Sequence, residues 1–424
     1  MPSSAIISSI ILLGCIILFF IERIPLELTA LGGCVALVMF GAADSEAIFS
    51  QYASGSVILL ICFMIFGRAF AQTGIADRCI NALIRLSGGR ERILLGISVL
   101  ACGLISAFMS NVATLAIFYS VFSTLDGRRE GFHSRRFMIP LAMASVVGGS
   151  CTLIGSAPQL SAQAFLEDIG QPPMGFMTYF PVGGMLLLVL TLYCMLIGYP
   201  IGKKIWKESE PVGDNPENNH KIKNEEGRPK WKNVLTLVLF TATIVLMAFK
   251  VLPLPVTALL GVLLMVGTGC ITPGNIMDAV KWRGVLKLGG ILGLMKGFEI
   301  SGGSQLLGSQ MVGLLNTQFS PLILLTILVL ITLFLSELMT NSVAMLIVLP
   351  IASQICQTVG FPLAPYVIAV VVASQAAVTT PIASTSMMMS AAYGYSFKDY
   401  GRHSFLWDLF AAGIICLMVS LLYF

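Results

Sequence analysis

Two short polar clusters buried in apolar sequence, Phe108-Met-Ser-Asn-Val112 and Leu338-Met-Thr-Asn-Ser342, restrict the fold of this chain more than any other feature. Each sets a hydroxyl beside an amide where an unpaired polar group costs several kcal/mol. A second run of small and polar residues follows each cluster further along the chain: Gly148 to Pro158 in the first half and Thr379 to Ser386 in the second. Polar, helix-breaking residues that recur in an apolar chain need a common purpose, and a ligand held between the two halves supplies one.

The surroundings of these clusters are those of a membrane protein. With 56% hydrophobic and 11% charged residues and a mean hydropathy of +0.89, the chain has too little polar surface to coat a soluble globule. The first apolar segment, Ile6 to Ile21, has span length and no basic residue ahead of it, so it reads as a span and not as a cleaved leader. The cysteines are scattered singly and His133, His220 and His403 fall in polar connections or at a span end, so no metal site is expected on them. No paired aspartates, Ser/His pair or H-E-x-x-H lies in the apolar segments, which argues against an intramembrane enzyme, and no ring-forming pore signature suggests a channel.

Hydropathy and punctuation predict ten spans: 6–21, 26–40, 55–72, 137–153, 181–198, 234–249, 256–270, 285–300, 363–377 and 403–422. Two apolar stretches remain, 93–126 and 320–354, and they carry the opening clusters. The first is flanked by Arg85, Arg90 and Arg92 and by Arg128, Arg129, Arg135 and Arg136, so both its ends face the cytoplasm. Its arm from Val112 to Asp126 reaches roughly 22 Å, short of a core about 30 Å thick, so it is expected to dip in and turn near Ser110 and Asn111. The second stretch is expected to be the same object entering from the opposite face. With Lys287 counted at the cytoplasmic mouth of its span, this arrangement puts 22 of the 25 Lys and Arg in cytoplasmic connections and both termini outside the cytoplasm.

The halves repeat. Glu46 to Tyr52 aligns with Gly274 to Val280, Arg68 to Gly74 with Lys296 to Gly302, and Thr152 with Thr380, all at one constant offset; Asn111 and Asn341 fall close to it. Five spans per unit is odd, so the second copy must be inverted. The expected fold is an all-α polytopic membrane protein with two inverted five-span units: residues 1–202, a cytoplasmic linker at 203–232, and residues 233–424. Each unit has a re-entrant helical hairpin and a broken helix, as in elevator-type transporters.

These motifs resemble those of the divalent anion:sodium symporter family, within the ion transporter superfamily of citrate, dicarboxylate and sulfate carriers. The family's Ser-Asn-Thr hairpin signature appears here as Ser110-Asn111-Val112 and Thr340-Asn341-Ser342, with Glu337 just ahead of the second. Its unwound-helix signature, similar to Gly-Thr-Pro-Pro-Asn, appears as Gly155-Ser156-Ala157-Pro158-Gln159 and Ala383-Ser384-Thr385-Ser386. The resemblance implies one Na⁺ site from Ser106, Ser110, Asn111 and the backbone near Gly155. It implies a mirror site from Ser336, the Met339 backbone, Asn341 and the backbone near Ala383. The matching spacings of Ser106 to Ser110 and Ser336 to Thr340, one helical turn each, independently suggest two equivalent sites.

A dianion would then lie between the tips, among Ser110, Asn111, Val112, Thr340, Asn341 and Ser342, with Ser156, Ser384 and Thr385 at its edges; Val112 can donate nothing to it. Arg68 and Lys296 occupy equivalent repeat positions. They are either snorkelling side chains, with Lys296 paired to Glu299, or funnels that draw an anion inward. The expected function is Na⁺-coupled secondary transport of a dicarboxylate, tricarboxylate or sulfate across the plasma (inner) membrane by a homodimer. The alternative is a cation/proton antiporter or an arsenite-type efflux permease, disfavoured because the first hairpin lacks a carboxylate. No organic cofactor and no nucleic-acid partner is expected; H⁺ could replace Na⁺ as the coupling ion.

Overall fold

The computed structural model describes residues 2–21, 24–73, 86–125, 133–206, 229–249, 252–280, 282–303, 306, 320–381, 383–391, 393 and 395–424. Most of the linker expected at 203–232 lies outside these residues, as do Arg23, Arg85, Arg128, Arg129 and Lys250. The first half contains α1 (Pro2–Ile21), α2 (Leu26–Met39), α3 (Ser45–Phe49) continued by a 3₁₀ turn (Ser50–Ala53), and α4 (Gly55–Ala71). It goes on through α5 (Glu91–Ser106), α6 (Asn111–Leu125), α7 (Arg135–Gly149), α8 (Ala157–Asp168), α9 (Phe180–Tyr193), a π turn (Cys194–Gly198) and α10 (Tyr199–Ile205). The second half contains α11 (Lys230–Ala248), α12 (Leu254–Gly267), α13 (Pro273–Ala279), α14 (Trp282–Ile300), α15 (Pro321–Leu338) and α16 (Asn341–Val359). It ends with α17 (Leu363–Ala376), α18 (Thr385–Ala391) and α19 (Phe397–Tyr423).

All ten expected spans are helices, most with ends close to the predicted ones. The last, α19, begins at Phe397 and not at His403, because Ser396 and Asp399 form a capping box there, with the Ser396 N–H donating to Asp399 Oδ2 at 2.9 Å. His403 is consequently buried inside a helix, stacked on Trp206. Short helices α3, α8, α13 and α18 appear where the sequence was read as connection. By length and composition, five helical stretches among the described residues could cross a membrane: Ser45–Ala69, Phe180–Ile205, Pro321–Leu338, Asn341–Val359 and Lys398–Tyr423. Five shorter apolar helices accompany them.

The repeat is legible in the elements. The offset that relates Thr152 to Thr380 also relates the starts of α2, α3, α7 and α8 (Leu26, Ser45, Arg135, Ala157) to those of α12, α13, α17 and α18 (Leu254, Pro273, Leu363, Thr385). The packing is also reciprocal: α2 packs on α14 while α12 packs on α4, and α7 packs on α18 while α17 packs on α8. Each unit lends a helix to its twin and receives the equivalent one, as a two-fold relation requires. The partners α5 and α7 are matched by α15 and α17, and both pairs are backed by a late helix, α9 or α19.

Close approach depends on missing side chains. A Cβ at Gly148 of α7 would lie 2.2 Å from the Gly103 carbonyl oxygen of α5, so these helices meet backbone to backbone, the contact that small residues permit in membranes. Along α14, a Cβ at Gly289, Gly293 or Gly297 would strike Tyr52 at 2.4 Å, Cys34 at 2.9 Å or Leu37 at 2.7 Å. This glycine stripe, one residue per helical turn, seats α14 against α2 and the 3₁₀ turn.

The hairpins differ in length. The arms of the first, α5 and α6, have 16 and 15 residues, and those of the second, α15 and α16, have 18 and 19. At about 1.5 Å per residue the second pair reaches roughly 27 Å and 28 Å, close to a full hydrocarbon core. The arms of the second hairpin are thus longer than those of the first. In both cases the chain reverses at the tip, and the arms pack against each other.

Replacing Gly148 by Val should lower the unfolding temperature of detergent-purified protein, at a cost of about 2–3 kcal/mol or more from overpacking. Gly401→Ala, at a helical position with open space around it, should leave the unfolding temperature unchanged or slightly raised. Equal melting of the two variants in tryptophan fluorescence would remove the α5–α7 approach as a constraint.

Candidate functional site

Both hairpin tips and both helix breaks open onto one cavity of about 270 Å³. Its lining includes Ser110, Asn111 and Val112 from the first tip and Thr340, Asn341 and Ser342 from the second. The breaks contribute Gly155 to Pro158 and Ala383 to Ser386. Further lining comes from α4 (Leu60, Phe63, Met64) and α14 (Gly284, Lys287, Leu288, Ile291). Every expected substrate residue therefore lines a single space: Ser110, Asn111, Val112, Ser156, Thr340, Asn341, Ser342, Ser384 and Thr385.

Equivalent bonds in the two units hold the tips to the breaks. Thr152 Oγ1 donates to the Ala107 carbonyl, and Thr380 Oγ1 donates to the Glu337 carbonyl at 2.7 Å. In the second unit the Glu337 carboxylate also accepts the Thr379 N–H at 2.8 Å, and the Asn341 N–H donates to the Ala383 carbonyl at 3.2 Å. Backbone groups released where helices stop inside apolar surroundings are thus answered by the neighbouring motif.

Four helices, α6, α8, α16 and α18, begin at cavity residues. Neither Ser156 nor Thr340, the residues ahead of α8 and α16, caps its helix with its own side chain. The first N–H groups of these helices have no partner within the helix and carry the positive end of its dipole.

The two Asn sites are arranged differently. The Ser106 hydroxyl donates to the Ser145 carbonyl at 2.7 Å and lies 2.9 Å from the Asn111 amide. With its nitrogen turned toward that cluster, the amide also reaches the Ser145 carbonyl at 3.2 Å and the Gly155 carbonyl at 3.1 Å. Room for the amide exists because Gly149 has no Cβ, which would sit 2.5 Å from Asn111 Oδ1. Around the second tip, by contrast, Ser336 Oγ, Thr340 Oγ1 and Asn341 Oδ1 are buried atoms with no hydrogen-bond partner. Met339 is buried beside them in extended backbone.

The sequence reading gave no role at the site to two amides and one charge. Gln159 Oε1 accepts from Ser156 Oγ at 2.6 Å and from Gln375 Nε2 at 2.7 Å, while Gln159 Nε2 donates to the Gly149 carbonyl at 3.0 Å. This linkage ties the two breaks together across the repeat. The available signal for Gln375 was a lone amide, next to Ser374, in the largely apolar run 365–377. Lys287, expected at the cytoplasmic mouth of its span, lines the cavity from α14.

Arg68 and Lys296 are not among the cavity residues. Lys296 lies 3.4 Å from Asp168 Oδ1 and 3.7 Å from Glu299 Oε2. The expected Glu299 pairing is present, and Asp168 is a second carboxylate at the same ammonium. Arg68, near the end of α4, has a buried Nε without a hydrogen-bond partner.

Comparison with known proteins agrees with this architecture. A solved structure of the Alcanivorax borkumensis YdaH transporter superposes with a TM-score of 0.65 over 94% of this chain and 98% of that one, at 13% sequence identity. The "Uncharacterized transporter YfbS" of Escherichia coli is 28% identical over 184 residues, 43% of this chain, and the matched region spans only 30% of that relative's length. The "Sodium-dependent dicarboxylate transporter SdcS" of Staphylococcus saprophyticus is 23% identical over 374 residues, 80% of this chain and 70% of that one. A family model described as "Citrate transporter" matches residues 16–341 and 314–424. A multi-pass helical membrane protein whose two polar tips meet in one cavity, matched by that model almost from end to end, belongs to the citrate transporter family.

Proposed function

We propose that this protein is a secondary transporter that carries a small dianion, a dicarboxylate, tricarboxylate or sulfate, coupled to Na⁺. The observation that carries this reading is the convergence of helix starts on one cavity: N–H groups and dipole ends favour negative charge there, and Ser and Thr hydroxyls add neutral donors. The helix ends at Ser106, Gly149, Leu338 and Ala376 point the other polarity, carbonyl oxygen, at the same region.

Those oxygens form the two cation sites. The first uses Ser106, Ser110, Asn111 and the Gly155 backbone, joined by the Ser145 carbonyl. The second uses Ser336, the Met339 backbone, Asn341 and the Ala383 backbone, where buried oxygens still lack donors. A hard cation suits such oxygen sets. Bound cations offset the charge of the dianion, so each ligand raises the affinity for the other. The SdcS relative's printed sodium dependence supports the choice of Na⁺. Inverted units, termini outside the cytoplasm, a homodimer, and movement of the hairpin-bearing helices against α2, α4, α12 and α14 complete the reading.

Thermal-shift measurements on purified protein with succinate, α-ketoglutarate, citrate, sulfate and arsenite, in Na⁺ and in K⁺, test the proposal. Na⁺-dependent stabilisation by at least one dianion is expected. Stabilisation by arsenite alone, or by Na⁺ alone with a pH response, would replace it with the efflux or antiporter reading.

The sites also make opposite forecasts for two serines. Ser336 Oγ bonds nothing in the protein, so Ser336→Ala should melt normally in K⁺ but need about tenfold more Na⁺ for the same shift, the factor for a loss of about 1.4 kcal/mol. Ser106→Ala removes a hydroxyl with internal partners and should already be destabilised in K⁺ by about 1–3 kcal/mol. Identical Na⁺ titrations of Ser336→Ala and the parent protein would dismiss the second site.

A further inference from the structure

Lys287 is the one charged side chain among the described residues that line the cavity. It stands on α14, which contributes nothing to the proposed ligand set. The repeat offers no counterpart: the equivalent position on α4 is Leu59, a buried core residue. A cavity built twice over from the same parts is therefore charged on one side only.

The charge has little local compensation. No carboxylate lies within ion-pairing distance of Lys287 among the described residues. The acid whose field reaches it is Glu27 on α2, and Glu27 Oε1 is already engaged by Arg283 at 3.1 Å. Glu27 is therefore shared with Arg283, and Lys287 has no carboxylate partner of its own beside the cavity. Ionisable residues inside a membrane protein are costly and mark ligand paths, and Lys287 is held in place because the Gly289, Gly293 and Gly297 stripe fixes α14 immediately after it.

We propose that Lys287 is a substrate ligand that selects doubly charged anions. Resting on the anion reading above, the assignment is that one acidic group of the substrate is held by the hydroxyls and helix starts at the tips, and the second by the Lys287 ammonium. A substrate with one acidic group satisfies the tips and leaves the ammonium unanswered; a two-ended dianion satisfies both. The fixed charge also leaves one less negative charge for co-bound cations to offset.

The test titrates full-length purified protein, in saturating Na⁺, with succinate and with succinamate, which has nearly the same shape but carries one carboxylate. The parent protein should prefer succinate by about tenfold or more, the range expected for a charge-assisted bond. Lys287→Gln should weaken succinate about tenfold and leave succinamate within about twofold, so the discrimination collapses, and Lys287→Arg should restore most of it. The far-UV circular dichroism of Lys287→Gln should match that of the parent protein, showing an intact fold. Unchanged discrimination in Lys287→Gln, or equal weakening of both ligands, overturns the role of Lys287 while leaving the transporter reading in place. Failure of the parent protein to bind any anion of the panel overturns both.

Discussion

Helices that stop in the middle of an apolar protein leave polar backbone ends, and this structure depends on how those ends are met. With no water to receive them, each must find a partner within the protein or a ligand. The threonine bonds, Thr152 to the Ala107 carbonyl and Thr380 to the Glu337 carbonyl, answer part of this demand in both units with equivalent atoms. They fix tip against break, so the remaining unanswered groups face one common space. The arrangement of the cavity follows from that constraint more than from any single side chain.

Within the shared plan the two units have diverged in the volume around their asparagines. The first clears room with glycine: Gly149 and Gly155 approach so closely that a Cβ at Gly155 would sit 2.1 Å from the Gly149 carbonyl. The equivalent positions in the second unit are the buried alanines Ala377 and Ala383. Asn111 accordingly settles among carbonyls that it can satisfy, whereas Asn341 commits its N–H to Ala383 and keeps a buried side-chain oxygen without a donor. Near-identical motifs thus present different residual chemistry to a ligand.

Much of this was readable in the sequence, for definite reasons. Spans are long apolar runs, and the tips were conspicuous because amides such as Asn111 and Asn341 are costly in such runs. What stayed hidden were features that depend on neighbours distant in sequence. Gln375 looks like any interhelical amide until Gln159, 216 residues away, is placed beside it. Lys287 sits near a span end in sequence, where lysines usually snorkel, and only the fold turns that position toward the cavity. Asp168 could not be matched to Lys296 for the same reason. Helix α8 was overlooked because its 12 residues are too few and too polar to read as a span.

The glycine stripe on α14 has a mechanical side. Helix surfaces stripped of side chains interlock at backbone range, and a seam of that kind resists shear because any slide drives a Cβ-free groove onto a neighbouring side chain such as Tyr52 or Leu37. Where α14 meets α8 and α16, none of its glycines makes a comparable interlock. If one surface in this molecule is built as a bearing and another as a weld, the placement of glycine tells them apart, and the lysine stands on the welded part.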